Sequence, residues 1–269
     1  MDSWRINGRP AATINPDDRG LAYGDGLFET MAVRAGALRF RERHMARLQE
    51  GCERLAITIP ETLADELDTA IEGIQHGTLK LIVTRGEGRR GYSPHGAVNP
   101  TLLVGVSEEQ AAPRIPEIAA RVCKTTVSVN PALAGLKTLN RLEQVLARAE
   151  WNDAAIREGV MQDVNGNVIS GTMSNVFAVI DGRLTTPDLS AAGIAGVMRS
   201  VIVDAMELAV DVRPVALSEL LSAEEIFFSN SLIGVWPVSR LNERELQVGP
   251  VTLSVCERLV ELGVEECRR

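Results

Sequence analysis

Ala134-Gly135-Leu136-Lys137-Thr138-Leu139-Asn140-Arg141 sets one lysine among small and apolar residues, just after the extended run Val127-Ser128-Val129-Asn130-Pro131. Lysines are seldom buried. One that is desolvated binds its proton less tightly, which frees a neutral amine to attack a carbonyl or to hold one as a Schiff base. Lys137 is therefore the candidate imine-forming amine. The ordinary alternative is a surface lysine at a helix start, and the surrounding segments decide between the two.

Upstream of this stretch the chain reads as strand, hairpin, strand, helix, helix, strand. Ile6-Asn7-Gly8-Arg9 is a turn signal, and Leu27 to Val33 with Leu38-Arg39-Phe40 reads as a hairpin. His44, Leu48, Cys52 and Leu55 recur at helical spacing, and Glu61 to Ile74 gives a second amphipathic helix. Residues 79–84 and 101–106 follow as buried strands, closing a first lobe over 1–107. Residues 108–117, with Pro113 and Pro116, have linker composition. The second lobe, 118–269, carries the Lys137 segment and a helix from about Leu139 to Asn152, with Leu142, Val145, Leu146 and Ala149 spaced for packing. Hairpins turn at Asn165-Gly166 and Asp181-Gly182, and helices at Ala195 to Leu208 and Gly249 to Leu262 flank the strand Glu225 to Ser229. The expectation is an α+β protein of two lobes with a cleft between them.

Composition narrows the function classes. The 269 residues are 45% hydrophobic and 24% charged, with a formal net charge of -8, a pI near 5.1 and a mean hydropathy of +0.02. Such a chain offers no electrostatic footprint for nucleic acid or anionic lipid. The N-terminus lacks an apolar stretch of signal-peptide length, and no segment approaches the roughly eighteen apolar residues of a membrane span, so a cytoplasmic location is expected. Cys52, Cys123, Cys256 and Cys267 form no CxxC pair and read as reduced thiols. His44, His76 and His95 show no ligand spacing, and no metal site is expected.

Gly86-Glu87-Gly88-Arg89-Arg90-Gly91 matches GxGxxG after a strand, but the turn-forming Tyr92-Ser93-Pro94-His95-Gly96 follows where a dinucleotide site needs a helix. The better reading is a flexible loop that carries Arg89, Arg90 and Tyr92 toward a carboxylate, since arginine pairs with planar anions bidentately. Gly193-Ile194-Ala195-Gly196-Val197-Met198-Arg199 opens a helix whose first amides could receive a phosphate. Ser229-Asn230-Ser231 ends a strand with further donors. A lysine for an aldehyde and two phosphate-binding turns together point to pyridoxal phosphate.

Several segments then resemble one family over essentially the whole chain: the fold-type IV pyridoxal-phosphate enzymes, which include branched-chain and D-amino-acid aminotransferases and 4-amino-4-deoxychorismate lyase. Asp18-Arg19-Gly20-Leu21-Ala22-Tyr23-Gly24-Asp25-Gly26-Leu27-Phe28-Glu29 is similar to the family's early hairpin, and His44-Met45-Ala46-Arg47-Leu48 resembles its phosphate-binding helix. Gly135 to Leu146 and Arg90-Gly91-Tyr92-Ser93 look like the lyase branch. The resemblance implies that Lys137 carries the cofactor and that Arg47, the amides of Val197 and Met198, and Ser231 hold its phosphate. It places Asn175 along the cofactor face and Phe28 among the substrate-binding residues. It also implies the fold of the D-amino-acid aminotransferases, a smaller N-terminal α+β domain and a larger C-terminal domain with a barrel-like sheet, paired as a homodimer.

One position departs from the pattern. In Val168-Ile169-Ser170-Gly171-Thr172-Met173-Ser174-Asn175 the family usually has glutamate where this chain has Ser170, and that carboxylate pairs with the protonated pyridine nitrogen. A hydroxyl can at best hydrogen-bond the unprotonated nitrogen, which leaves the ring a weaker electron sink. Transamination suffers most from that, whereas an elimination that creates an aromatic ring has its own driving force. The resemblance thus implies conversion of a small molecule, 4-amino-4-deoxychorismate, to 4-aminobenzoate and pyruvate, with Arg90 or Arg89 on a substrate carboxylate and Tyr92 orienting the ring. The alternatives are an aminotransferase of the same fold and a weakened cofactor-binding relative.

Overall fold

A two-residue alternation builds the first sheet. The computed structural model describes residues 3–10, 13–97, 99–109, 117–206 and 210–268, which divide into one unit of Met1–Ala112 with Leu136–Asn140 and another of Pro113–Gly135 with Arg141–Arg269. In the first unit come β1 (Ser3–Ile6), β2 (Arg9–Pro10), α1 (Arg19–Tyr23), β3 (Gly26–Arg34), β4 (Ala37–Leu38), α2 (Arg41–Leu55), α3 (Leu63–Ala70), β5 (His76–Thr84) and β6 (Thr101–Glu108). The strands form an antiparallel sheet in the order β2-β1-β6-β5-β3-β4. Leu27, Met31 and Val33 of β3 share one face with Leu79, Leu81 and Val83 of β5 and Leu102, Val104 and Val106 of β6. That face packs on Leu48 and Cys52 of α2 and on Leu63 and Leu67 of α3. Asn7 and Gly8 both have positive φ (48° and 75°), the type I′ geometry that joins twisted strands tightly. The helix expected over 61–74 is shorter, and Ile71 and Ile74 reach the same core from the turn that follows it.

The second unit runs β7 (Ile118–Val122), α4 (Leu142–Arg148), β8 (Ile156–Gln162), β9 (Val168–Ser170), β10 (Asn175–Ile180), β11 (Arg183–Pro187), α5 (Val197–Ala205), β12 (Asp211–Arg213), α6 (Leu217–Ser222), β13 (Glu225–Asn230), β14 (Gly234–Leu241), β15 (Arg244–Glu245) and α7 (Pro250–Glu261). Its nine strands form a half-barrel sheet, ordered β12-β11-β10-β13-β14-β7-β8-β9 with β15 on β14. β7 runs parallel to both β8 and β14, which its long connections permit. The core is built from residues such as Val176, Ala178, Ile226, Phe228 and Val238, with a second cluster around Trp151, Met161 and Ile169. The α+β fold expected from the sequence is the one observed.

Three sequence expectations need correcting. The helix expected from Leu139 begins at Leu142, because the backbone before it is extended and hydrogen-bonded to β3: Leu139 N donates to Gly26 O at 3.0 Å. Its spaced apolar residues do not pack inward, since Leu142, Val145 and Leu146 are 77%, 59% and 61% exposed and Ala147 is the buried one. Residues 136–140, read as part of the second lobe, contact the first unit instead. The linker expected at 108–117 and the helix end at Leu208 lie largely outside the described residues. No described helix is long and apolar enough to cross a membrane, and no described His, Cys, Asp and Glu cluster could hold a metal.

Candidate active site

Lys137 is held by a short strand-like pairing. Phe28 N donates to Lys137 O at 3.0 Å, and Leu27 is bridged to Thr138 in antiparallel register. Strand alternation then sends Leu136 and Thr138, both 3% exposed, to the buried side and Lys137 to the other. The lysine is half-buried rather than enclosed by apolar core, and its Nζ lies 4.2 Å from the centroid of the Phe28 ring. Gly26 allows this close approach, since a Cβ there would come within 2.6 Å of Val83 O and 2.9 Å of Leu139 Cδ1. Two residues upstream, Gly135 N donates to Gly193 O and Ala195 N donates to Gly135 O, at 2.9 and 3.0 Å. The backbone is thus pinned on each side of the lysine.

Arg47, expected to hold phosphate, is oriented by Glu29. Its Nε donates to Glu29 Oε1 at 2.8 Å and its Nη2 donates to Oε2, while His44 Nδ1 lies 2.6 Å from Oε2. His44 and Arg47 are three residues apart and so share a face of α2. Burial alone would raise the Glu29 carboxyl, but the His44 hydrogen bond and the charge and hydrogen bonds of Arg47 bring it below its ordinary value. Burial lowers His44, against the opposing pull of Glu29, and the Arg47 and Lys137 cations lower it further. Sequence reasoning assigned no role to Glu29 and dismissed His44. A His-x-x-Arg pair on a helix facing an inward glutamate on a strand was the available signal.

The loop with Arg89, Arg90 and Tyr92 is anchored where a flexible one was expected. Arg19, 3% exposed, donates from Nη1 to Gly91 O at 2.9 Å and from Nη2 to Tyr92 O at 3.2 Å. Gly91 N donates to the Tyr23 hydroxyl at 3.0 Å, and the Tyr23 and Tyr92 rings meet edge to face at 5.5 Å. Asp25 accepts from Arg19 and Arg85, each at 2.8 Å. Burial opposes its ionisation, but the two arginines hold its carboxyl below the ordinary value. Arg89 and Arg90 are exposed and Tyr92 is 87% exposed. No helix follows Gly91 among the described residues up to 97, in keeping with the rejection of a dinucleotide loop.

In the second unit a buried glutamate that sequence reasoning missed organises the segment after Ser170. Glu158, 0% exposed, accepts from Gly159 N (2.9 Å), Thr172 N (2.8 Å), Thr172 Oγ1 (2.5 Å), Met173 N (3.4 Å) and Ser174 Oγ (2.7 Å). Ser170 itself is 9% exposed and its hydroxyl donates to Gly171 O at 2.8 Å. This contact is the hydrogen bond of its hydroxyl within the described residues. Asn175 Nδ2 donates to Ile194 O at 3.0 Å, which fixes the approach to α5, and a Cβ on Gly196 would sit 2.0 Å from Asn175 Oδ1. Asn230 Nδ2 donates to Met173 O at 3.2 Å, and Asn230 Oδ1 accepts from Leu232 N and Ile233 N around Ser231.

These residues fit a phosphate-bearing cofactor. Val197 and Met198 begin α5, where amides have no partner inside the helix. Ser229 pairs with Asn175 across the β13 and β10 ladder, and its buried hydroxyl has no hydrogen-bond partner. An orphaned buried hydroxyl beside an amide-rich helix start is a common mark of a polar group's seat.

Comparison with known proteins agrees with this arrangement. The family described as amino-transferase class IV matches residues 26–241. Aminodeoxychorismate lyase of Vibrio harveyi is 34% identical over 251 residues, covering 90% of this chain and 93% of that one. A putative branched-chain-amino-acid aminotransferase of Methanocaldococcus jannaschii is 31% identical, covering 93% and 91%. The crystal structure of 4-amino-4-deoxychorismate lyase from Pseudomonas aeruginosa superposes with a TM-score of 0.90 at 46% identity, covering 96% of this chain and 98% of that one. With a lysine pinned on a strand edge, an arginine fixed by a buried carboxylate and a helix start of open amides, the chain belongs to the class IV aminotransferase family.

Proposed function

We propose that this protein converts 4-amino-4-deoxychorismate to 4-aminobenzoate and pyruvate with pyridoxal phosphate as cofactor. The observation that carries the reading is Lys137, placed over Phe28 by backbone bonds on both sides, together with similarity to two aminodeoxychorismate lyases. When bound, pyridoxal phosphate supplies an aldehyde that condenses with amines and a ring that accepts the electrons of an adjacent carbanion. Lys137 would hold its carbonyl carbon, while Arg47, the amides of Val197 and Met198, and Ser231 would hold its phosphate, with Asn175 and Ser170 along the ring.

Displaced from the carbonyl carbon by the substrate's amine, the freed Lys137 Nζ serves as general base toward the amine-bearing ring carbon of the substrate. Such positioned proton transfer contributes about a hundred- to ten-thousandfold. The electron pair of the broken C–H bond forms a double bond to the neighbouring carbon of the substrate ring as the C–O bond from that carbon to the enolpyruvyl group breaks. The departing enolpyruvate takes up a proton and becomes pyruvate, and the ring left behind is aromatic. Arg90, with Arg89 beside it, is assigned to a substrate carboxylate, and Phe28 and Tyr92 to the ring. The setting of this reading is the cytoplasm, and the exposed apolar stripe of Leu142, Val145 and Leu146 supports pairing as a homodimer.

A second reading, an aminotransferase of D- or branched-chain amino acids, is favoured by the 31% identity to the Methanocaldococcus jannaschii protein. The two separate cleanly when the cofactor-loaded protein is given 4-amino-4-deoxychorismate without a 2-oxo acid. Equimolar 4-aminobenzoate and pyruvate, abolished in Lys137→Ala, is the expected result. No product without an oxo acid, and amino-group transfer with one, would reject the lyase.

A further inference from the structure

Phe28 has a lysine on each side. Leu27 is paired on one edge with Thr138 and on the other with Val83 of β5, so the strands carrying Lys137 and Lys80 flank β3. Lys80 lies directly opposite Thr30, which by strand alternation puts it on the same face as Phe28 and Lys137. This is the half-exposed face, with Phe28, Thr30, Lys80 and Ile82 all of intermediate burial. Lys80 Nζ is 5.5 Å from the Phe28 centroid and Lys137 Nζ is 4.2 Å from it. The two ammonium groups therefore lie less than about 10 Å apart, within a Debye length at 0.1 M salt.

Among the described residues the Lys80 ammonium makes no ion pair and no hydrogen bond, and it lies against the ring of Phe28. A half-buried ammonium with only an aromatic face for company is incompletely neutralised, and a second cation nearby deepens the deficit. Such a group is a receptor for an anion. We propose that Lys80 binds a carboxylate of the substrate, specifically the ring carboxylate opposite the reacting amine.

The assignment rests on the lyase reading and sharpens it. The amine reacts at Lys137, and two cations on one aromatic ring, within about 10 Å of each other, can meet groups at opposite ends of a six-membered ring. The enolpyruvyl carboxylate, attached beside the amine, is left to Arg90. Lys80 would then fix which end of the substrate enters and would retain the carboxylate that 4-aminobenzoate keeps.

The test uses the cofactor-loaded protein with Lys80→Met and Lys80→Arg, titrated calorimetrically with 4-aminobenzoate and with its neutral analogue 4-aminobenzamide. Wild type and Lys80→Arg should prefer the carboxylate by about 10- to 100-fold, the scale of a charge-assisted hydrogen bond, and Lys80→Met should bind both alike. KM for 4-amino-4-deoxychorismate should rise by a similar factor in Lys80→Met, with kcat changed far less. A preserved carboxylate preference in Lys80→Met overturns the proposal, as does absence of 4-aminobenzoate binding to wild type. Weakened pyridoxal phosphate binding with unchanged 4-aminobenzoate binding overturns it too, assigning Lys80 to the cofactor phosphate. If wild type releases no 4-aminobenzoate from the substrate, the lyase reading fails separately, and the binding comparison still decides Lys80.

Discussion

The carboxylate of Glu29 receives Arg47 through both of its oxygens and holds His44 Nδ1 at 2.6 Å. A strand residue thereby sets the rotamers of two helix residues, and Arg47 is presented as a rigid fork rather than a mobile surface cation. Replacing one partner of a buried pair leaves the other charge uncompensated, which costs about 3–5 kcal/mol. Glu29→Gln should therefore lower the urea midpoint substantially and weaken pyridoxal phosphate binding, while Arg47→Lys should spare stability more than cofactor affinity. Parallel urea titrations and cofactor titrations separate the two effects.

The same cluster predicts a pH dependence. Glu29 and His44 both have lowered pKa values in the folded chain, so the unfolded chain binds more protons and stability rises with pH. Their contribution is complete above the ordinary values of 6.5 for His44 and 4.5 for Glu29, and is lost as pH falls through the folded values. Urea midpoints should hold between pH 8 and 7 and decline below about pH 6.5. His44→Gln should flatten the part of the decline nearest neutrality. An unchanged slope in that variant would remove His44 from the account.

Glu158 offers another test, because its carboxylate accepts from backbone and hydroxyl donors of residues 159–174. Glu158→Gln turns an amide NH₂ toward groups that are themselves donors, at a cost of about 1–3 kcal/mol per orphaned group. The segment Gly171 to Ser174 should loosen, seen as faster amide hydrogen exchange there than in β3.

Ser170→Glu would restore the residue usual in the family, and the structure gives it a cost. Ser170 is 9% exposed, so a glutamate there places a carboxylate in a nearly dry position. Burial raises a carboxyl pKa, and a raised value gives stability at low pH that is lost as pH rises. Without cofactor, Ser170→Glu should lose more thermal stability relative to wild type at pH 8 than at pH 5. Bound pyridoxal phosphate should reduce that difference. Equal losses at both pH values would show that the introduced carboxyl is not held in a dry position.

The elements legible in the sequence were those whose signals are local. Asn7-Gly8, Asn165-Gly166 and Asp181-Gly182 declared their turns, and the alternation in β3, β5 and β6 declared strands. The start of α4 was not legible, because Leu139-Asn140-Arg141 is acceptable helix sequence and only the pairing of Leu139 with Gly26 forbids it. Among site residues, Lys137 and Arg47 stood out through their neighbours. Glu29, His44, Glu158 and Lys80 did not, since each acquires its meaning from a partner distant in sequence.

Family membership, the cofactor lysine and the departure at Ser170 were contained in the order and spacing of short motifs, which depend on chain chemistry alone. Which way each of those side chains faces depends on strand register and helix docking. One residue of slip would turn Lys137 and Lys80 to the core and Leu136 to the surface. The bidentate hold of Glu29 on Arg47, the clasp of Glu158 on Thr172 and Ser174 and the second cation beside Phe28 exist because folding brings residues from separate strands and helices within a few ångströms. Sequence spacing carries no record of those distances.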